Sequence, residues 1–198
     1  MSEINAKMVK ALRDQVGAGI MDCKEALAEC DGDMTKAVDF LRKKGLATAK
    51  KRAGRAMTEG VVTSYIHMGG KIGVMVEVNC ETDFVAKTDD FQTFARNIAM
   101  HIAATGPVGI APEDVPAEIV EKEKEIYRAQ AEEMGKPEQM IEKIAEGKLN
   151  KFYKESCLLN QPYVKEPDKT VADYINEVIA VTGENISIRR FTRYQLGE

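Results

Sequence analysis

The 198-residue chain has no tryptophan, only two histidines, and four cysteines that form no CxxC pair. A zinc site asks for His or Cys pairs two to four residues apart, and none occurs. His67 and His101 fall in different segments, so no nucleophile–imidazole arrangement is readable along the chain. Cys23, Cys30, Cys80 and Cys157 are scattered, a usage that fits reduced thiols in the cytoplasm. No apolar run approaches the roughly 18 residues of a membrane span. The N-terminal MSEINAKMVKALRDQ mixes charges without an apolar stretch, so no secretory signal is expected. Net charge is −4, from 28 Lys+Arg against 32 Asp+Glu, which lacks the basic excess of a general nucleic-acid binder. No GxxxxGK[ST] loop is present, and Gly17-Ala18-Gly19 lacks the GxGxxG spacing. These absences speak against an enzyme, a resident metal or cofactor, and a small-molecule substrate.

What the chain has is an uneven distribution of charge. Residues 1–55 carry 12 basic and 8 acidic side chains, and residues 56–198 carry 16 and 24. Arg42 to Arg55 holds seven positive charges and no negative one. The split predicts two domains: a helical bundle with a basic connector over 1–55, and an acidic α+β core over 56–198.

Periodicity gives each part its shape. Ile4, Met8, Ala11 and Leu12 recur at helical spacing before a stop at Gly17–Gly19. A second helix is expected from an Asp22 cap, with Cys23, Ala26, Leu27 and Cys30 inward. Asp31-Gly32-Asp33 turns the chain and caps a third helix, with Ala37, Val38 and Leu41 inward and Gly45 as its end. Residues 46–57 read as a helical connector whose basic side chains sit in water. The period then changes to two. Val61–Ile66 and Ile72–Asn79 alternate on either side of Gly69-Gly70 and predict a β-hairpin. Thr88 caps a helix to about Thr105, with Phe91, Phe94, Ala95, Ile98, Ala99 and Ile102 inward. Residues 117–134 and 138–154 predict an antiparallel helical hairpin broken at Gly135-Lys136-Pro137. Thr170 caps a helix that Gly183 stops, and Ile186–Tyr194 is a final strand with a slip between Ile188 and Phe191. Together these predict an α+β fold: a three-helix bundle joined to a three-stranded antiparallel sheet packed by helices.

Few residues are candidates for chemistry. Cys80 could be a nucleophile, but a buried strand-end thiol is the simpler reading. Cys23 and Cys30 lie on one helical face and read as core. Asp89-Asp90 are ordinary partners of a helix dipole. The run 42–55 could meet RNA, yet no aromatic side chains interleave it to stack bases. One segment stands apart: Glu77-Val78-Asn79-Cys80-Glu81-Thr82-Asp83-Phe84-Val85-Ala86-Lys87, which joins a clear strand to a clear helix. Its Phe84 either folds back onto the core or forms an exposed Phe-Val tip for a partner.

Two stretches carry a resemblance. Leu12–Leu27 (LRDQVGAGIMDCKEAL) and Glu77–Lys87 (EVNCETDFVAK) resemble the two signatures of the bacterial elongation factor Ts family, in the same order and separation. LNQP at Leu159–Pro162 and GENISIRRF at Gly183–Phe191 support it, so the likeness spans essentially the whole chain. The resemblance implies a guanine-nucleotide exchange factor that binds elongation factor Tu and releases GDP and Mg²⁺ without chemistry of its own. It implies that Thr82, Asp83, Phe84 and Val85 intrude beside the Mg²⁺ site of the GTPase, with Phe84 as wedge and Asp83 bonding at helix ends. It implies that Arg13, Ile20, Met21 and Lys24, on a bundle like the ubiquitin-associated domain, face the GTPase domain. Val16 stands where the family usually has Thr, which removes a hydroxyl from the Gly-rich turn. The length resembles the family's short form, expected to act as a homodimer through the final strand or the 117–154 hairpin. The alternative is a ribosome- or RNA-associated protein acting through residues 42–55.

Overall fold

A computed structural model describes residues 4–52 and 54–198. Three helices come first: α1 (Ala6–Val16), α2 (Ile20–Glu29) and α3 (Met34–Arg52). They close on Leu12, Cys23, Ala26, Leu27, Ala37 and Leu41, all buried. Asn5 caps α1 by accepting the Met8 amide at 3.0 Å. The helix ends where Gly17 adopts φ 68° and its amide reaches the Arg13 carbonyl at 2.7 Å. That closure is made by backbone alone, so the turn does not depend on a hydroxyl at Val16.

Two expectations for the bundle need correction. Asp22 does not cap α2; Gly19 occupies the cap without a side-chain bond, and Asp22 sits inside the first turn, accepting from Lys44 at 2.8 Å. Nor does Gly45 end α3, which continues to Arg52. A glycine inside a helix costs about 1 kcal/mol relative to alanine, and here the missing side chain has a use. A β-carbon at Gly45 would stand 3.3 Å from that of Ala180, so glycine lets the two backbones approach.

The rest of the chain forms β1 (Glu59–Ile66), β2 (Ile72–Cys80), a single helical turn α4 (Asp83–Ala86), α5 (Asp89–Thr105), α6 (Ala117–Glu133), α7 (Glu138–Ser156), β3 (Pro162–Tyr163), β4 (Glu166–Thr170), α8 (Val171–Thr182) and β5 (Ser187–Gln195). The main sheet is antiparallel with order β1-β2-β5. Along β2, Val74, Val76, Val78 and Cys80 are buried and alternate with more open positions. The inward stripe of α5 is buried as its spacing predicts. Strands β3 and β4 pair as a separate antiparallel ladder. Their sequences, Pro-Tyr and Glu-Pro-Asp-Lys-Thr, carry no apolar alternation to announce them.

The chain divides into two compact units. One takes in the chain up to Thr63 with residues 77–97 and 173–188; it therefore holds the bundle, the β2–α4 loop and most of α8. The other takes in residues 64–76, 98–172 and 189–198, including the α6–α7 hairpin. In this second unit His101 is a structural side chain. Its Nδ1 accepts the Val164 amide at 3.3 Å, which leaves Nε2 to donate to the Gln161 side-chain oxygen at 2.9 Å. Burial lowers its pKa and keeps the ring neutral.

Gly60 in β1 has φ 146°, and a β-carbon there would stand 2.1 Å from the Val78 carbonyl oxygen. Gly147, within α7, has open space around it. Gly60→Ala is therefore expected to destabilise by roughly 2–3 kcal/mol or more. Gly147→Ala should stabilise by about 0.5–1 kcal/mol. Urea unfolding of the two variants against the parent checks both signs.

Candidate partner-binding site

The segment leaving β2 is held from both sides. Cys80, buried at the strand end, donates its thiol to the Thr82 carbonyl at 3.2 Å. Thr82 then caps α4: its hydroxyl accepts the Val85 amide at 3.4 Å. Beyond the turn, the Thr88 hydroxyl donates to the Val85 carbonyl at 2.8 Å, and the Gln92 amide group donates to the Ala86 carbonyl at 2.6 Å. Ala86 is buried and Val85 half-buried, so the turn is also anchored by packing.

A carboxylate from another part of the chain completes the mount. One oxygen of Glu184, just past the end of α8, accepts the backbone amides of Glu81 and Thr82 at 3.1 and 3.0 Å. Its other oxygen accepts the Thr82 hydroxyl. Glu81 answers in kind: its carboxylate accepts the Asn185 amide at 2.7 Å and the Arg55 guanidinium at 3.2 Å. The two loops clasp each other by carboxylate-to-amide bonds in both directions. The Asn185 amide, with Arg55 beside it, holds the Glu81 carboxyl below its ordinary pKa. The contribution of that pairing is thus present above the ordinary carboxylate pKa and lost only as pH falls through the lower folded value.

This clasped turn leaves Phe84 83% exposed. Of the two readings open to the sequence, folding back onto the core does not occur. Burying a phenylalanine side chain is worth roughly 1.5–3 kcal/mol, and the free protein forgoes nearly all of it. Beside it, Asp83 is exposed and pairs with Lys87 at 2.6 Å, which lowers its pKa.

The bundle shows a second exposed surface. Ile20 and Met21 are 56% and 75% exposed, and Lys24 is exposed with them. Cys23, Ala26 and Leu27 occupy the inward stripe of α2, and residues 20, 24 and 21 fall within about 100° of one another outside it. Arg13, also exposed, lines an open cleft of about 610 Å³ together with Asp89, Asp90, Tyr174 and Glu177.

The basic run is largely exposed, as expected of a solvated face, and several of its side chains also form surface ion pairs. Arg42 pairs with Asp173 at 3.1 Å, Lys44 with Asp22 and Glu25 at 2.8 and 2.7 Å, and Arg55 with Glu81. Arg52 lies against Gly183 at the end of α8, a favourable place for a cation. Among the described residues, no group of three or more His, Cys, Asp or Glu side chains is placed to hold a metal ion. None of their helices is long and apolar enough to cross a membrane.

Glu184 and Asn185 escaped the reading of candidate residues from local pattern. Their partners lie about a hundred positions away, and a carboxylate after a helix-stopping glycine looks like an ordinary surface residue. The one available signal was that they belong to the GENISIRRF stretch.

The distinguishing features are thus exposed apolar side chains, Phe84 on the turn after β2 and Ile20 and Met21 at the start of α2. The family model described as elongation factor TS matches residues 45–198. Elongation factor Ts of Desulfosudis oleivorans is 67% identical over 198 residues, covering 100% of both chains. The protein of the same name from Geobacter sulfurreducens is 64% identical over 195 residues, 98% of this chain and 90% of its own. That of Syntrophobacter fumaroxidans is 60% identical over 195 residues, 98% of each chain. The chain belongs to the elongation factor Ts family.

The thiols offer a check on the local geometry. Burial raises the pKa of Cys80 to about 11, and burial also raises Cys23 and Cys157. At pH 8 only on the order of one Cys80 in a thousand is then thiolate. Titration with a disulfide reagent at that pH should show one faster thiol, the half-buried Cys30, and three slow ones. All four should react at once in denaturant.

Proposed function

We propose that this chain promotes GDP and Mg²⁺ release from elongation factor Tu by docking its Thr82-Asp83-Phe84-Val85 turn beside the GTPase metal site. Membership in the family implies nucleotide exchange on elongation factor Tu during translation elongation. The observation that supports the turn as the acting element is the exposure of Phe84 on a support bonded at both ends.

The physical logic is linkage. If GDP weakens binding of the factor, the factor weakens GDP binding by the same ratio. A wedge that displaces the backbone holding metal and phosphate achieves this indirectly. Phe84 supplies apolar surface that gains its burial energy only in the complex. Asp83 exchanges its Lys87 partner for donors at the GTPase helix ends, at little cost because the pair is exposed and screened by water. Arg13, Ile20, Met21 and Lys24 supply a second contact to the GTPase domain. In this reading residues 1–55 and 56–198 are two modules of one binder acting in the cytoplasm. The alternative is an RNA contact through residues 42–55, where Arg42, Lys44 and Arg55 form partly exposed ion pairs with acids of this chain.

A homodimer accompanies this reading. Ile66, Met75 and Tyr194 are exposed on β1, β2 and β5, and apolar side chains in such company mark an interaction surface. Sedimentation velocity should show a species of twice the 21.9 kDa chain mass. Joint substitution Ile66→Glu and Met75→Glu should return it to one chain.

Release of labelled GDP from purified elongation factor Tu tests the function. The wild-type chain should accelerate release. Phe84→Ala should reduce the acceleration at least tenfold, about 1.4 kcal/mol, without loss of fold. Equal rates from the variant and the wild type would remove Phe84 from the mechanism.

A further inference from the structure

We propose that Glu184 is a positioning residue: it fixes the Phe84 turn in its docking conformation before any partner arrives. The inference rests on the reading of Phe84 as the docking tip. It adds a residue that lies 100 positions from the tip along the chain.

Three observations carry it. First, Glu184 takes three donors from two adjacent residues, the amides of Glu81 and Thr82 and the Thr82 hydroxyl. A carboxylate has about four acceptor sites, so this one is nearly saturated by the segment that begins the turn. Second, the bonds form a relay. The Thr82 hydroxyl donates to Glu184, so its lone pairs face the Val85 amide, which it caps at 3.4 Å. Glu184 thereby orients the group that closes α4 around Phe84, and a negative charge polarises that hydroxyl into a better acceptor. Third, the clasp is reciprocal. Glu81 holds the Asn185 amide and Arg55, so the loop carrying Glu184 is fixed by the loop it fixes.

Glutamate suits the task better than its neighbours in size or polarity. Glutamine keeps one acceptor oxygen and can serve the amides or the hydroxyl, but not all three donors. Alanine leaves two backbone amides and a hydroxyl to water and frees the turn to sample other conformations. A binder whose competent conformer is only a fraction of the population binds more weakly by that fraction.

The absence of tryptophan from the chain provides the probe. Phe84→Trp places a single indole at the tip of the full-length protein, and its time-resolved fluorescence anisotropy in the absence of partner reports local motion. Adding Glu184→Ala is expected to raise the amplitude of the fast component at least twofold, and Glu184→Gln to give an intermediate value. In the GDP-release assay, with Phe84 restored, Glu184→Ala is expected to reduce acceleration about five- to tenfold. Glu184→Gln should recover part of the loss, which also covers the case in which the alanine variant fails to fold. An unchanged fast component in both variants overturns the proposal. So does a freed tip with exchange at the wild-type rate, when Phe84→Ala in the same assay is defective. If Phe84→Ala is itself as active as the wild type, the docking role of the tip fails. The anisotropy then decides by itself whether Glu184 holds the turn.

Discussion

The clasp between Glu81-Thr82 and Glu184-Asn185 is the constraint on which the exposed site depends. Each loop leaves a well-ordered element: β2 ends at Cys80 and α8 ends at Thr182. The amides of Glu81, Thr82 and Asn185 lie just past those ends. Carboxylate-to-amide bonds in both directions satisfy those donors, and charge-assisted bonds are about twice as strong as neutral ones. The cost of ordering a loop residue, roughly 1–2 kcal/mol, falls on Glu81 and Thr82, where three of the donors are taken. The apolar residue two positions further on then needs no packing of its own to have a definite place.

That division of labour explains the pattern of apolar exposure. Val78 and Cys80 before the turn and Ala86 and Phe91 after it are buried. Phe84 alone among them faces water, because polar bonds and flanking burial already hold its backbone. The same separation occurs in the bundle, where Leu12, Cys23, Ala26 and Leu27 form the core and Ile20 and Met21 lie outside it. In both places the core is built from residues at the expected period, and the apolar residues outside that period are the exposed ones.

The legibility of the sequence follows the range of the interactions. Elements set by local periodicity were readable: the β1–β2 hairpin, the α5 stripe and the α6–α7 hairpin occur where spacing places them. Gly45 was misread because a helix-ending glycine and a glycine that admits a neighbouring helix look alike until Ala180 is in place. The Thr82–Val85 turn was legible as an anomaly between two clear patterns, but whether Phe84 turned inward or outward was not. Glu184 holds the segment that begins the turn, and no local pattern couples positions 82 and 184.

A wedge and the body it enters share the work of deformation in inverse proportion to their stiffness. If the tip were a free loop, contact with a GTPase would bend the loop and leave the nucleotide site as it was. Binding energy would then go into ordering the factor rather than into displacing metal and phosphate. Linkage requires the opposite, because only interactions that differ between nucleotide-bound and nucleotide-free partner change nucleotide affinity. A turn capped by Thr82, closed by Thr88 and Gln92 and backed by Glu184 has little room to yield. In the proposed function that stiffness is the chain's own contribution to exchange: the compliance is left to the partner, where strain loosens the nucleotide.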